Sequence, residues 1–242
     1  MESGGPSSTN RELSHQVSLD IDRLIQSVKK ELEISYAFSD TCCIYKVLEQ
    51  LRELNEKAYT PRLVSIGPIH HGKDMLEAME YHKRMYLQEF LDQTEVNVEA
   101  FIEFIKENET RLRDSYAETI GFSSENLIKM ILMDATFVIM FLLKWNYEDF
   151  RGRRDSIFYP PYKSVHVRLD ICLLENQLPF FILEDLYRIS KIESPKPTKC
   201  FNSPKSTLIE LTQWFFSNEW GSPWAVGEFF GENRFLRSET FG

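Results

Sequence analysis

The sequence predicts a mainly α fold, an irregular multi-helix domain with long proline-bearing loops and little or no β structure. Three observations predict it. Apolar residues recur at three- and four-residue steps in window after window, the pattern of a helix with one buried face. A long apolar run, Leu127 to Leu143, sits at the short limit for spanning a bilayer and carries Lys129 and Asp134, which marks it as a buried core helix. Prolines fall between the periodic windows, at Pro61, Pro68, Pro160, Pro161, Pro195, Pro197 and Pro204, where they interrupt helix.

In chain order, residues 1–17 are polar and Ser- and Gly-rich and read as a disordered tail. A helical domain is expected over 18–218. Ser18 is a suitable N-cap, with Asp20 and Asp22 in the first turn and Ile21, Leu24, Ile25, Val28 and Leu32 on one face. Cys42–Val47 is a short apolar run that periodicity assigns to neither strand nor helix. Glu49–Ala58 reads as helix, and the segment around Pro61 and Pro68 as extended. Asp74–Gln93 is helical, and Val98, Phe101, Ile102, Ile105, Leu112 and Tyr116 trace one further amphipathic helix. Ser123 or Ser124 caps the apolar helix up to about Trp145. Residues 146–164 read as a loop. Val165–Glu175 and Pro179–Ser190 read as two helices broken at Asn176–Pro179, Ser194–Pro204 as a linker, and Ser206–Asn218 as the last helix. Residues 219–242 read as an irregular tail.

Composition narrows the function. With 43% hydrophobic residues, including 18 Phe, 10 Tyr and 4 Trp, the chain has enough apolar surface for a core. The 37 acidic and 28 basic residues give a net charge of -9, which argues against nucleic acid or anionic lipid as partner. Arg151, Arg153 and Arg154 form the basic cluster, read as a solvated loop. Cys42, Cys43, Cys172 and Cys200 lack C-x-x-C spacing, and the first sixteen residues have no apolar signal region, so a reducing, cytoplasmic setting is expected.

Two strings concentrate the chemistry. The first, YTPRLVSIGPIHHG (Tyr59–Gly72), holds two prolines, two glycines and the pair His70 and His71. With His82 these histidines lack zinc-ligand spacing, so no metal and no cofactor is expected, and the imidazoles read as capping the helix start or bonding the backbone. The second, LLENQLPFFILEDLY (Leu173–Tyr187), sets Glu175, Asn176 and Gln177 in apolar surroundings, where each needs a partner or costs about 1–3 kcal/mol. They are read as satisfying the ends of the broken helix or as a buried polar network, with Asp134 paired to an arginine or to these amides. No nucleophile elbow, Walker loop or dinucleotide loop is present. Cys172 reads as a buried structural thiol.

In combination, CIYKVLEQLRELNEKAYTPRLVSIGPIHHG, MEYHKRMYL, MILMDATFVIMFLL and LDICLLENQLPFF resemble successive blocks of the plant domain-of-unknown-function 247 family, over about 41–216 and in order. One departure is Leu48, where the family usually has proline. The resemblance implies a mainly helical plant protein, commonly longer and held at membranes by a C-terminal anchor. This chain has no transmembrane segment of that kind and is expected to be the N-terminal part of the family domain. Grass members are associated with pollen-side self-incompatibility, which suggests recognition, and the family supplies no catalytic residues to carry over. The expectation is a non-enzymatic recognition or signalling protein with protein partners, using surfaces around 59–72 and the aromatics Trp214, Phe215, Trp220, Trp224, Phe229 and Phe230. The alternatives are an enzyme using His70 or His71 with Glu175 or Asp134, and a truncated fragment without function.

Overall fold

The computed structural model describes residues 21–29, 42–152, 155–159, 161–193 and 207–220. Nine helices lie among them: α1 (21–29), α2 (Glu49–Leu54), α3 (Glu77–Gln93), α4 (Val98–Glu107), α5 (Glu109–Asp114), α6 (Ser124–Asn146), α7 (Pro161–Ile171), α8 (Phe180–Ser190) and α9 (Leu208–Trp220). No strand occurs among the described residues; Cys42–Val47 is extended, and its one ladder contact is a parallel bridge between Ile44 and Tyr116.

The apolar run becomes the axis of the core. Ser123 caps α6 by accepting from the Asn126 amide at 3.3 Å. Sixteen of the 23 residues of α6 are buried, because α3, α4, α8 and α9 all pack on it. It is the one described helix long and apolar enough to cross a membrane, and 78% of its most apolar stretch is buried inside the protein. Lys83 pairs with Asp134 and Tyr86 packs against Phe137, so the contacts advance together and α3 runs parallel to α6. At its far end Phe141 and Trp145 meet Phe158 and Phe215 in an aromatic layer with centroids 5.4–6.4 Å apart.

Several boundaries differ from the periodic reading, each for a local reason. The helix expected over 98–116 breaks at Asn108, whose side chain donates to the Phe104 carbonyl at 2.9 Å and ends α4. Glu49–Ala58 is interrupted at Asn55, leaving a 3-10 turn, Glu56–Ala58. The supposed loop 146–164 already contains the start of α7, because Pro161 is compatible with a first helical turn. Arg151 is not a solvated cation: it donates to the carbonyls of Lys144 (2.6 Å) and Trp145 (3.1 Å), closing the C-terminus of α6. Arg153 and Arg154 lie outside the described residues, as do Cys200, 1–17 and 221–242. Cys172, expected in the core, is exposed one residue beyond α7. Phe215 is core, not surface; Trp214 is half-buried and Phe216 exposed.

Candidate functional site

The two chemistry-bearing strings meet. Pro61–Gly67 crosses the structure as a non-helical strap, whose amide groups have no ladder to join and must be paired otherwise. The break between α7 and α8 supplies the partners. The buried Asp170 carboxylate accepts from the amides of Arg62 (3.0 Å), Leu63 (2.7 Å) and Val64 (2.9 Å). Asn176, fully buried, accepts from the Ile66 amide at 2.6 Å and donates to the carbonyls of Val64 (2.9 Å) and Asp170 (3.0 Å). Gln177 donates to the carbonyls of Ile171 (2.7 Å) and Leu173 (2.8 Å), the open end of α7. Burial pushes the Asp170 carboxyl above its ordinary range, and the three strap amides oppose that shift.

Asp134 completes the strap from the α6 side. One oxygen accepts from the Gly67 amide at 2.8 Å and the other pairs with Lys83 at 2.6 Å. Its partner is therefore neither an arginine nor the amides. Lys83 is fully buried, reaching Glu80 at 2.6 Å and the Ser65 hydroxyl at 3.3 Å. Burial disfavours the Lys83 ammonium, but Asp134 and Glu80 outweigh it and hold its pKa above the ordinary lysine value. Burial likewise raises Asp134, with Lys83 and the Gly67 amide pulling it back. Gly67 has φ +73°, and a Cβ there would lie 2.4 Å from the Gln177 carbonyl oxygen. Tyr116 donates to that same oxygen at 2.9 Å.

Glu175, also buried, faces the other side of the break between α7 and α8. It accepts from the Val47 amide at 2.5 Å and from Arg52, fastening the 42–54 segment to that break. Its second oxygen lies 3.3 Å from His70 Nε2, and neither of these two atoms has a hydrogen-bond partner. Lys73 donates to His70 Nδ1 at 2.9 Å. Burial and the Lys73 charge, against the opposing pull of Glu175, lower the His70 pKa to about 4, so the ring is neutral at pH 7. The adjacent His71 points elsewhere, its ring edge-on to Phe122 at 5.6 Å. His82, on α3, lies 3.0 Å from the Ser156 hydroxyl. Among the described residues no group of three or more His, Cys, Asp or Glu is placed to hold a metal ion.

Of the six residues singled out by sequence, Asn176, Gln177 and Asp134 meet the strap, Glu175 and His70 meet each other beside it, and His71 joins neither group. Sequence reasoning missed Asp170 and Lys83. The signal for Lys83 was its place on the buried side of α3, between Met79 and Tyr86. The principal concavities avoid Asn176, Gln177, Asp134, Glu175 and His70. One, about 630 Å³, lies between the N-terminal parts of α3 and α6 and takes in His71, Lys73 and Ser65. Smaller ones of about 130 and 180 Å³ lie beside Tyr116 and beside His82 and Tyr86.

Residues 44–233 match the family DUF247, described as a plant protein of unknown function. The chain belongs to it. UPF0481 protein At3g47200 of Arabidopsis thaliana is 36% identical over 164 residues, 66% of this chain and 34% of the relative. Putative UPF0481 protein At3g02645, from the same plant, is 29% identical over 175 residues, 70% of this chain and 32% of the relative. This DUF247 chain thus spans about a third of the length of the relatives it matches. No solved structure matches it significantly.

Proposed function

We propose that this chain is a non-enzymatic recognition protein that binds another protein through the 42–54 segment and the adjoining 59–72 loop. The carrying observation is the surface of that segment. Helix α2 has six residues and buries none of them, which is too short and too solvated to persist alone. It is held by Arg52 and the Val47 amide on the buried Glu175. The tethered segment presents Tyr45 (56% exposed), Leu48 (69%), Leu51 (48%) and Leu54 (81%) at three-residue spacing. A stripe of four large apolar groups, rigidly held and open to solvent, suits a protein interface.

Support for the non-enzymatic part comes from the strap. Asp170, Asn176, Gln177 and Asp134 spend their hydrogen-bonding capacity on backbone groups and Lys83, and none lines a principal concavity. The C-terminal aromatics carry less of this reading than the sequence suggested, because Phe215 is core.

The test is affinity capture from the source tissue with wild type and with the double substitution Leu51→Asp, Leu54→Asp. Both sites are exposed, so the thermal midpoint is expected to stay within about 2 °C of wild type. The proposal expects the double substitution to lose a partner that wild type retains. An identical set of captured proteins would overturn it.

A further inference from the structure

The 630 Å³ cleft between α3 and α6 touches the strap only at Ser65 and lies apart from the 42–54 surface. We propose that it binds a small amphipathic anion, a carboxylate or phosphate group joined to an apolar body. Its volume falls within the range of small-molecule sites. Three elements build it: the turn around Gly72, α3 and the start of α6.

The charges sort into two kinds. Asp74 and Glu77 stand where the 3-10 turn Asp74–Leu76 leads into α3, a position the positive end of a helix favours, and Glu80 is occupied by Lys83. The acids of the lining therefore have structural roles. Among the cations Lys73 is taken by His70, but Arg84 and Lys129 are not: both are exposed, both line the cleft, and neither has an ion-pair or hydrogen-bond partner among the described residues. Two guests with long flexible stems can meet on one anionic group, Arg84 offering its fork and Lys129 a point charge.

The apolar half of the ligand has its own floor. Leu76, Met130, Met133 and Phe122 line the same cleft, and methionines adapt to ligands of varied shape. Arg84 and Met133 flank the Lys83–Asp134 pair in sequence and both line the cleft, so charge and floor adjoin. His71 forms the opposite wall, braced edge-on by Phe122, with its Nδ1 buried and without a partner. The acids at the α3 start repel an anion there and direct it towards the Arg84 end.

Calorimetric titration of the full 242-residue chain tests this with octanoate and phenyl phosphate as probes, octanamide as the uncharged analogue and inorganic phosphate as the head group alone. At least one amphipathic anion is expected to bind with Kd below about 1 mM, and octanamide and inorganic phosphate about tenfold more weakly. Arg84→Gln with Lys129→Gln is expected to weaken that binding about tenfold. Its far-UV dichroism and thermal midpoint should stay unchanged, since both side chains are exposed. Absence of heat with either anion, equal affinity for octanamide, or undiminished binding by the double substitution would overturn the proposal.

Discussion

The strap region meets α6 at its middle, at Asp134, and the aromatic layer meets its C-terminal part, at Phe141 and Trp145; the two are held together by opposite means. Around Gly67 the chain has no regular structure, and a few directed contacts from Asp134, Asp170 and Asn176 hold it. Around Phe141 the contacts are numerous and undirected: Phe137, Trp145, Phe158 and Phe215 share their burial. Directed contacts fail all at once when one partner goes and respond to pH. Area-based packing declines in proportion to the atoms removed.

The largest expected effect is at the strap. Asp134→Ala leaves the Lys83 ammonium buried beside Glu80 alone and the Gly67 amide without its acceptor, for a loss of about 3–5 kcal/mol in chemical denaturation. Phe141→Ala should cost a similar ~3–5 kcal/mol, but Phe141→Leu only about 1–1.5, a gradation the Asp134 site lacks. If Asp134→Asn and Asp134→Ala prove graded in the same way, the contrast between the regions fails.

The glycines of the 59–72 string sharpen the comparison within one loop. Gly67→Ala meets both a positive φ and the Gln177 carbonyl, so a loss of at least about 3 kcal/mol is expected. Gly72 has φ +80° with open space around it, so Gly72→Ala should cost only about 1 kcal/mol. Equal losses would show that the close approach at Gly67 does not constrain the fold.

The pH response should come from the strap side. The folded His70 pKa of about 4 lies below the ordinary 6.5, so between those values the unfolded chain binds more protons than the folded one. Stability attributable to His70 is present above pH 6.5 and is lost as pH falls towards 4, on the order of 2 kcal/mol. Denaturation midpoints of His70→Gln should be flatter over that window than those of wild type. A smaller effect belongs to Leu48, whose φ of -54° already suits the proline usual in the family. Leu48→Pro is expected to stabilise by about 0.4–1 kcal/mol, read as a rise in the thermal midpoint.

Much of this was legible in the sequence where one rule governed. The helices α3, α6, α8 and α9 follow from apolar periodicity and capping, because burial of one face or of all faces dictates them. That Glu175, Asn176, Gln177 and Asp134 need buried partners follows from the cost of burying polar groups. Their partners did not follow, because Asp170 and Lys83 look like ordinary surface charges until α7 and α3 are docked. Asn108 was hidden for another reason: the apolar pattern continues across it while its amide ends the helix. The core position of Phe215 could not be separated from a surface aromatic by period alone.

Native-state hydrogen exchange tests the central claim most directly, namely that the polar cluster is a lock on the strap. The amides of Arg62, Leu63, Val64, Ile66 and Gly67, although outside any helix or strand, are predicted to exchange as slowly as core amides of α6. Asp170→Ala should release Arg62, Leu63 and Val64 selectively. Exchange of these five amides at the rates of an exposed loop in the wild-type protein would contradict the account.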